Sequence, residues 1–178
     1  DSAQDITYSY DAGTNGMGRF TGMTDPSGAY TYSYDVHGNL VTEEKTIEGV
    51  TYTTGYTYDP TGVLTKITYP DGASTQNEYD EAGRLKAVID ERGHRTQFTY
   101  DELGRQIAVR SPVGDVTKFE YDDTGNRKAV IDPKGNRTEF EYDAANRLVR
   151  TTYPDGTVQS VTYDSQGRKI AETDQAFK

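Results

Sequence analysis

The dipeptide Tyr-Asp recurs along this chain of 178 residues, and its spacing constrains the fold more than any other feature. It occurs eight times, first at two spacings of 24 residues and then at five spacings of 21 residues. A fixed period of about 20 to 50 residues is the signature of a repeat architecture. The tyrosines of the eight pairs are Tyr10, Tyr34, Tyr58, Tyr79, Tyr100, Tyr121, Tyr142 and Tyr163.

Two glycine positions keep the same phase and predict two turns in each repeat. Four residues after the Tyr, six repeats carry Gly and a seventh carries Asn146, the other residue that tolerates a positive φ. Fourteen residues after the Tyr, five repeats carry a second Gly, and in four of them Pro stands two residues earlier. We therefore predict a left-handed backbone at the first position and a Pro-x-Gly turn at the second.

The segments between the turns are about seven residues long, which is a strand length rather than a helix length. In the second segment, Thr96, Phe98 and Tyr100 share one face of a strand, while polar residues take the other. The first segment, as in residues 84–90, carries apolar residues on both faces, so its inward face cannot be assigned from the sequence. We predict an all-β fold, in which about eight antiparallel β-hairpins form one long, strongly curled single-layer sheet.

The repeats predict a single domain over residues 1–178, irregular over 1–57 and regular over 58–178. The irregularities are an insertion near residues 14–17 and a longer second repeat around residues 43–55, where we expect a longer hairpin or loop. The chain begins and ends inside a repeat, so we expect a fragment of a larger protein.

The composition fits a thin sheet better than a thick core. Leu, Ile, Val and Phe make up only 29 of the 178 residues, a level at which chains approach disorder, but there are 15 Tyr. Rows of Tyr and Phe across neighbouring strands can stabilise a single layer. There is no Cys, which excludes disulfides, thiolate zinc sites and a cysteine nucleophile.

The repeats resemble the YD repeats of the Rhs class. The resemblance covers nearly the whole chain and is carried by Tyr79-Asp80-Glu81-Ala82-Gly83-Arg84-Leu85, by residues 142–148 and by Asp132-Pro133-Lys134-Gly135. That family includes bacterial Rhs toxins, the C components of Tc toxins, and teneurins. The resemblance implies a segment of a β-shell that encloses or presents a toxin or effector domain, in a parent protein that is secreted or on the cell surface. Its structural motif falls on Tyr79, Asp80, Gly83, Tyr100, Asp101, Gly104, Tyr121, Asp122, Gly125, Tyr142, Asp143 and Asn146.

Catalytic and metal chemistry find little support in the sequence. The only histidines, His37 and His94, stand at positions that other repeats fill differently, so we predict no catalytic residue and no enzyme activity. The Asp of each Tyr-Asp pair can cap its turn, with calcium binding as the alternative. Arg or Asn follows the Gly, and where it is Arg, an ion pair with the Asp is the simpler role. We predict no metal and no cofactor.

A carbohydrate- or cell-surface-binding module is the alternative function. Its candidate binding residues are Tyr52 and Tyr56, in the stretch that departs from the repeat. The predicted partners are neighbouring shell repeats, an enclosed toxin domain, a glycan, and other copies joined edge to edge. The isoelectric point of about 4.6 argues against nucleic acid. The sequence shows no apolar run long enough to span a membrane and no signal peptide over residues 1–4.

Overall fold

The computed structural model describes residues 5–175, so the first four residues, where the sequence predicts no signal peptide, lie outside the described part. Its strands form a 16-stranded antiparallel sheet in the order of the chain, which confirms the all-β hairpin array. No helix among the described residues is long and apolar enough to cross a membrane. The strands are β1 Thr7–Tyr10, β2 Phe20–Asp25, β3 Gly28–Tyr34, β4 Leu40–Ile47, β5 Val50–Tyr58, β6 Leu64–Thr68, β7 Ser74–Tyr79, β8 Leu85–Ile89, β9 Arg95–Tyr100, β10 Gln106–Arg110, β11 Val116–Tyr121, β12 Arg127–Ile131, β13 Arg137–Tyr142, β14 Leu148–Thr152, β15 Val158–Tyr163 and β16 Lys169–Gln175.

The chain divides into two compact units, Asp1–Arg95 and Thr96–Lys178. In the first unit, consecutive strands from β1 to β8 pair with each other in antiparallel hairpins. For example, Gln76 in β7 lies opposite Ile89 in β8. In the second unit the same holds from β10 to β16, for example Ala129 opposite Glu139. Each unit is therefore a meander of hairpins built by one local rule.

The turns have the left-handed residue that the sequence predicts. Gly83 has φ 76° and Asn146 has φ 58°, and the phase-matched glycines are also positive, which confirms the prediction. The Gly83 N–H donates to the carbonyl of Asp80 at 2.9 Å, and the Asp80 N–H donates to the carbonyl of Arg84 at 2.9 Å. The second turn repeats this pattern, as between Gly93 and Asp90 at 3.0 Å.

The irregular stretch around residues 43–55 forms a long hairpin, as predicted. Its strands, β4 and β5, are joined by Glu48 and Gly49, with Ile47 opposite Val50. Both connecting residues have positive φ, 49° and 78°, as a two-residue type I′ turn requires. The earlier insertion is a loop in which the Asn15 side chain donates to the carbonyl of Tyr34 at 2.9 Å.

A bulge in each repeat explains why the sequence does not assign the first segment to one face. Glu78 lies opposite Ala87, but Tyr79 lies opposite Leu85, so one extra residue is inserted between these two pairs. The bulge places Leu85 on the same face as Tyr79 and turns Ala87 to the opposite face with Glu78. We call these the Tyr face and the ion-pair face. The same shift occurs where Tyr121 lies opposite Arg127.

The burial pattern is that of a thin layer. Ala87 and Ala129 are 0% exposed, and no large side chain among the described residues is fully buried. Both alanines lie on the ion-pair face, between longer side chains of the adjacent strands. Stability must therefore come from many half-buried contacts between neighbouring strands rather than from a central core.

Gly83→Val is expected to lower the free energy of unfolding by about 1–2 kcal/mol, the cost of placing a side chain in the left-handed region. A Cβ at this glycine would meet nothing within 4 Å, so backbone strain is the only penalty in the native state. Urea unfolding measures the change, and Gly83→Asn serves as the matched control because Asn146 occupies the same position elsewhere. Equal stability of the two variants would contradict the left-handed requirement.

Candidate functional site

The tyrosine of the Tyr-Asp pair ties each repeat to the repeat before it. The Tyr79 hydroxyl donates to the backbone carbonyl of Leu64 at 2.9 Å, and the Tyr121 hydroxyl donates to that of Gln106 at 2.8 Å. Each acceptor is the first residue of a strand and lies 15 residues earlier in the sequence. Tyr142 and Tyr163 make the same bond at the same separation. In the irregular repeats, Tyr34 and Tyr58 donate to the carbonyls of Phe20 and Leu40, which lie 14 and 18 residues earlier.

Sequence reasoning missed this role of the hydroxyl and assigned the tyrosines only to a packing row. One signal was available, because the position two residues earlier varies and is Phe in three repeats, at Phe98, Phe119 and Phe140, whereas the motif position is Tyr in every repeat. A ring needed only for packing would allow Phe at both positions. A ring that must also donate a hydrogen bond requires Tyr.

The aspartate of the pair caps its own turn. Asp80 Oδ1 accepts hydrogen bonds from the N–H groups of Ala82 and Arg84, both at 3.0 Å. These bonds confirm the predicted Asx-type turn. The backbone bond from Arg84 is the largest cause that holds the pKa of the Asp80 carboxyl below its usual value. The second oxygen, Oδ2, accepts from Arg84 Nε at 2.7 Å.

The arginine after the turn glycine makes the predicted ion pair and also a contact that the sequence did not reveal. Arg105 pairs with Asp101 at 2.7 Å, and its guanidinium carbon lies 4.7 Å from the ring centroid of Tyr121 in the next repeat. Its Nη1 donates to the carbonyl of Asp122 at 3.3 Å. Arg147 repeats the arrangement, with Asp143 as ion partner and the Tyr163 ring 4.8 Å away.

We call the Tyr, Asp and Arg side chains at the Tyr-Asp turns, such as Asp101, Arg105 and Tyr121, the Tyr-Asp-Arg ladder. Its Tyr and Asp members belong to the predicted structural motif, whereas its Arg members were predicted only as ion partners of the aspartates. The structure brings Tyr121, Asp101 and Arg105 together across two repeats. The carboxylates already accept backbone and guanidinium donors. No group of three acidic or histidine side chains among residues 5–175 is placed to hold a metal ion. The ladder is thus built to connect repeats.

The ion-pair face carries a second connection between repeats. Arg95 makes a bidentate pair with Glu78, and Arg137 makes one with Glu120 at 2.8 and 2.9 Å. Arg137 also donates to Glu139 at 2.7 Å. Since Ala129 lies opposite both Glu120 and Glu139, this network spans the strand that contains the buried alanine.

The two candidate binding tyrosines lie in different surroundings. Tyr52 is 46% exposed and lines an open groove of about 440 Å³ with Tyr69, Pro70 and Asp71. Tyr56 is half-buried, and its hydroxyl donates to Glu43 at 3.2 Å. Burial, followed by that carboxylate, raises the pKa of the Tyr56 hydroxyl. The structure thus places only the first of the two in the lining of this groove.

Tyr121→Phe is expected to lower the free energy of unfolding by about 1 kcal/mol, because it deletes one hydrogen bond and leaves the ring in place. Urea unfolding at neutral pH measures the difference. Tyr153→Phe is the matched control, since the Tyr153 ring is exposed and its hydroxyl donates to no group among the described residues. If both variants unfold at the same urea concentration, the hydroxyl bond contributes nothing to the coupling of repeats.

The repeat, its two turns and the ladder define a YD-repeat shell protein. Residues 29–176 match the family model of the teneurin YD-shell, and the chain belongs to this family.

The chain is also similar to a double-stranded DNA deaminase toxin A of Burkholderia cenocepacia, at 39% identity over 77 residues. That match covers 42% of this chain and 5% of the relative. Among solved structures, the chain resembles the crystal structure of TcdB2-TccC3-Cdc42, with a TM-score of 0.81 and 17% identity over 94% of this chain and 10% of that one. A Tc holotoxin pore from Photorhabdus luminescens matches with a TM-score of 0.61 and 17% identity, over 95% of this chain and 12% of that one. At these identities the structures show the shared fold, and the chain spans about a tenth of their length or less.

Proposed function

We propose that this chain is a wall segment of a YD-repeat shell that encloses or presents a toxin or effector domain. The observation that carries the proposal is the Tyr-Asp-Arg ladder, in which the motif residues bond to the neighbouring repeat. Tyr121, for example, receives Arg105 on its ring and donates to the Gln106 carbonyl. Side chains committed to such contacts build a wall, and the family match supports the same role.

The wall acts through geometry, not chemistry. Each hairpin adds two strands, and the right-handed twist of every strand makes a long single sheet curl. A curled single-layer sheet forms a boundary between two spaces. The proposed role is non-catalytic. The 178 residues act as one repeat domain of a longer protein. That protein works outside the cell or on its surface. The relatives named as toxins support this setting.

The test of enclosure uses the longer protein and a deletion that keeps the phase of the repeat. Removal of residues 80–121 joins Tyr79 to Asp122, which restores a Tyr-Asp pair and shortens the wall by two repeats. We expect the enclosed domain to become sensitive to protease, while the intact protein protects it. The control variant Val113→Ala, at an exposed turn residue, should leave protection unchanged.

Two outcomes would overturn the proposal. Equal protection with and without residues 80–121 would show that this segment does not enclose the domain. A protease-sensitive domain in the intact protein would show the same. Circular dichroism of the shortened protein separates a shorter wall from a misfolded one, because the strand signal of the remaining repeats is retained only in the first case.

Carbohydrate or cell-surface binding at Tyr52 and Tyr56 is the second candidate, and the exposed ring of Tyr52 in its groove is the observation that favours it. A glycan array discriminates the two functions. Saturable binding that disappears with Tyr52→Ala would support this alternative, and the absence of binding would overturn it.

A further inference from the structure

Two turns with the same sequence depart from the usual turn chemistry of the repeat. They are Tyr69-Pro70-Asp71-Gly72 in the first compact unit and Tyr153-Pro154-Asp155-Gly156 in the second. We call them the YPDG turns.

Other repeats place a polar residue at the first position of this turn, where its side chain caps the backbone. Asp90 Oδ1, for example, accepts from the N–H groups of Arg92 and His94. Asp132 caps its turn in the same way.

In the YPDG turns the first position is a tyrosine, which cannot cap the backbone. The cap is supplied by the aspartate two residues later. Asp71 Oδ1 accepts from the Ala73 N–H at 3.0 Å, and Asp155 Oδ1 accepts from the Thr157 N–H at 2.9 Å. Turn formation therefore explains the two aspartates, but it does not explain why the first position of each turn is a tyrosine.

The two rings are exposed and line open cavities. Tyr69 is 40% exposed in the groove of about 440 Å³ that it shares with Tyr52, and its hydroxyl makes only a long contact of 3.5 Å with Thr75 Oγ1. Tyr153 is 39% exposed in a cavity of about 590 Å³. That second cavity is lined by Asp132, Asn136, Tyr153, Pro154, Asp155 and Thr157. The first cavity combines two tyrosine rings with one carboxylate, and the second combines one tyrosine ring with two carboxylates. Neither is lined by a cationic side chain among the described residues.

The Tyr-Asp-Arg ladder of the same chain shows what a ring and a carboxylate hold when a cation is present. There, Arg105 lies over the Tyr121 ring at 4.7 Å while its Nε bonds to Asp101 at 2.7 Å. A planar guanidinium satisfies both partners at once, by stacking on the ring and by donating to the carboxylate. The YPDG turns offer a ring and a carboxylate but supply no guanidinium of their own.

We propose that each YPDG turn, by itself, binds one arginine side chain of a basic peptide. Tyr69 and Asp71 form one such site in the first unit, and Tyr153 and Asp155 form another in the second. The net charge of −10 attracts a basic segment and repels acidic ligands. A neutral ligand would gain the ring but would leave the carboxylates without a counter-ion. The YPDG turns lie at the strand ends opposite the Tyr-Asp turns that carry the ladder. The inference does not depend on the enclosure of a toxin domain.

The test titrates the chain with a peptide of alternating Arg and Ser, followed by NMR of the tyrosine rings and by calorimetry. A peptide with Gln in place of Arg is the matched control ligand. The key variant, Tyr69→Leu with Tyr153→Leu, keeps every charge of the chain. We expect it to weaken binding of the Arg peptide about two- to fivefold per site. Asp71→Asn with Asp155→Asn should also weaken binding, because it removes the carboxylate charge from each turn. The turns should still form, because Asn retains an oxygen that can cap the backbone.

The control variant is Val113→Ala, in the turn of a repeat that has no tyrosine there, and it should bind like the unmodified chain. Unchanged affinity in the double Leu variant would overturn the proposal, because binding would then depend on net charge alone. Binding of the Gln peptide with equal affinity would overturn it as well. If cellobiose shifts the Tyr69 and Tyr153 rings and the Arg peptide does not, the turns form a sugar site and the proposal fails.

Discussion

Acid is expected to unfold this chain in a narrow range, with the urea midpoint falling steeply below about pH 4. The turn aspartates accept hydrogen bonds that favour the charged carboxylate, so the pKa of each is lower in the folded chain than in the unfolded chain. In Asp143 the largest cause is the side-chain bond from Arg147, and in Asp164 it is the backbone bond from Arg168. The lowered set is Asp25, Asp35, Asp59, Asp80, Asp90, Asp101, Asp122, Asp132, Asp143, Asp155 and Asp164.

The direction of this pH dependence is set by linkage between protonation and folding. A carboxyl whose pKa is lowered by folding contributes stability that is fully present above its unfolded pKa, about 3.9 for Asp. That contribution is lost as the pH falls through the lower, native pKa, because the proton then favours the unfolded chain. The net charge of −10 acts in the opposite direction, since mild acid relieves repulsion before the turns protonate. We therefore expect maximum stability near pH 5 and a steep loss below pH 4, both approximate positions.

Urea unfolding at a series of pH values measures this profile. The variant with Asp80→Asn, Asp143→Asn and Asp164→Asn should be less stable at pH 7 and lose less on acidification. The control Glu102→Gln removes an exposed carboxylate that has no hydrogen-bond or ion-pair partner among the described residues. It should leave the acid limb unchanged. A triple variant with the same slope as the unmodified chain would show that the turn carboxylates are not the groups that titrate.

The turns and strands of this protein could be predicted because each depends on residues close together in sequence. Gly83 and Asn146 reveal the left-handed position by their own chemistry, and the i,i+4 spacing of Asp80 and Arg84 suggests their ion pair. The period of 21 residues then places every hairpin. Features that depend only on such local chemistry can be predicted without a structure.

The bulge and the backbone acceptor of the tyrosine hydroxyl could not be predicted from the sequence, for a physical reason in each case. A one-residue shift in register moves Leu85 to the Tyr face, and a period-two pattern does not record such a shift. The acceptor of the Tyr79 hydroxyl is the backbone carbonyl of Leu64, and a carbonyl is present in every residue type. The choice of Tyr52 and Tyr56 as binding residues stays a prediction. The exposed rings of the YPDG turns were visible in the sequence only as ordinary turn residues.

Self-association of this chain is expected to be head to tail. The outer strands of the sheet are β1 and β16, and every residue of both is exposed. Exposed edges invite pairing between chains. The two edges differ in type. Strand β1 ends at a Tyr-Asp pair, as the second segment of a repeat does, whereas β16 follows a Tyr-Asp turn, as the first segment does. Pairing of unlike edges is heterologous, so it produces open chains of molecules and not a closed dimer.

The repeat itself determines the register of this pairing. In the second compact unit, Arg150 and Thr151 of β14 lie opposite Ser160 and Gln159 of β15. The same phase would place Ala171 opposite Thr7 of another copy. It would also place Glu172 opposite Ile6, whose side chain is exposed. Charge at Ile6 should therefore control association through Glu172.

Sedimentation over a range of concentrations up to millimolar tests the prediction. Ile6→Glu should weaken association and Ile6→Lys should not, although both remove the same apolar side chain. Directly opposed pairs of this kind contribute about 0.2–1 kcal/mol, which corresponds to a change of about 1.4- to 5-fold in each association step. Combining Ile6→Glu with Glu172→Lys should restore association, because the opposite charges then face each other again. A strict monomer at the highest concentration, or equal effects of Glu and Lys at position 6, would contradict this edge pairing.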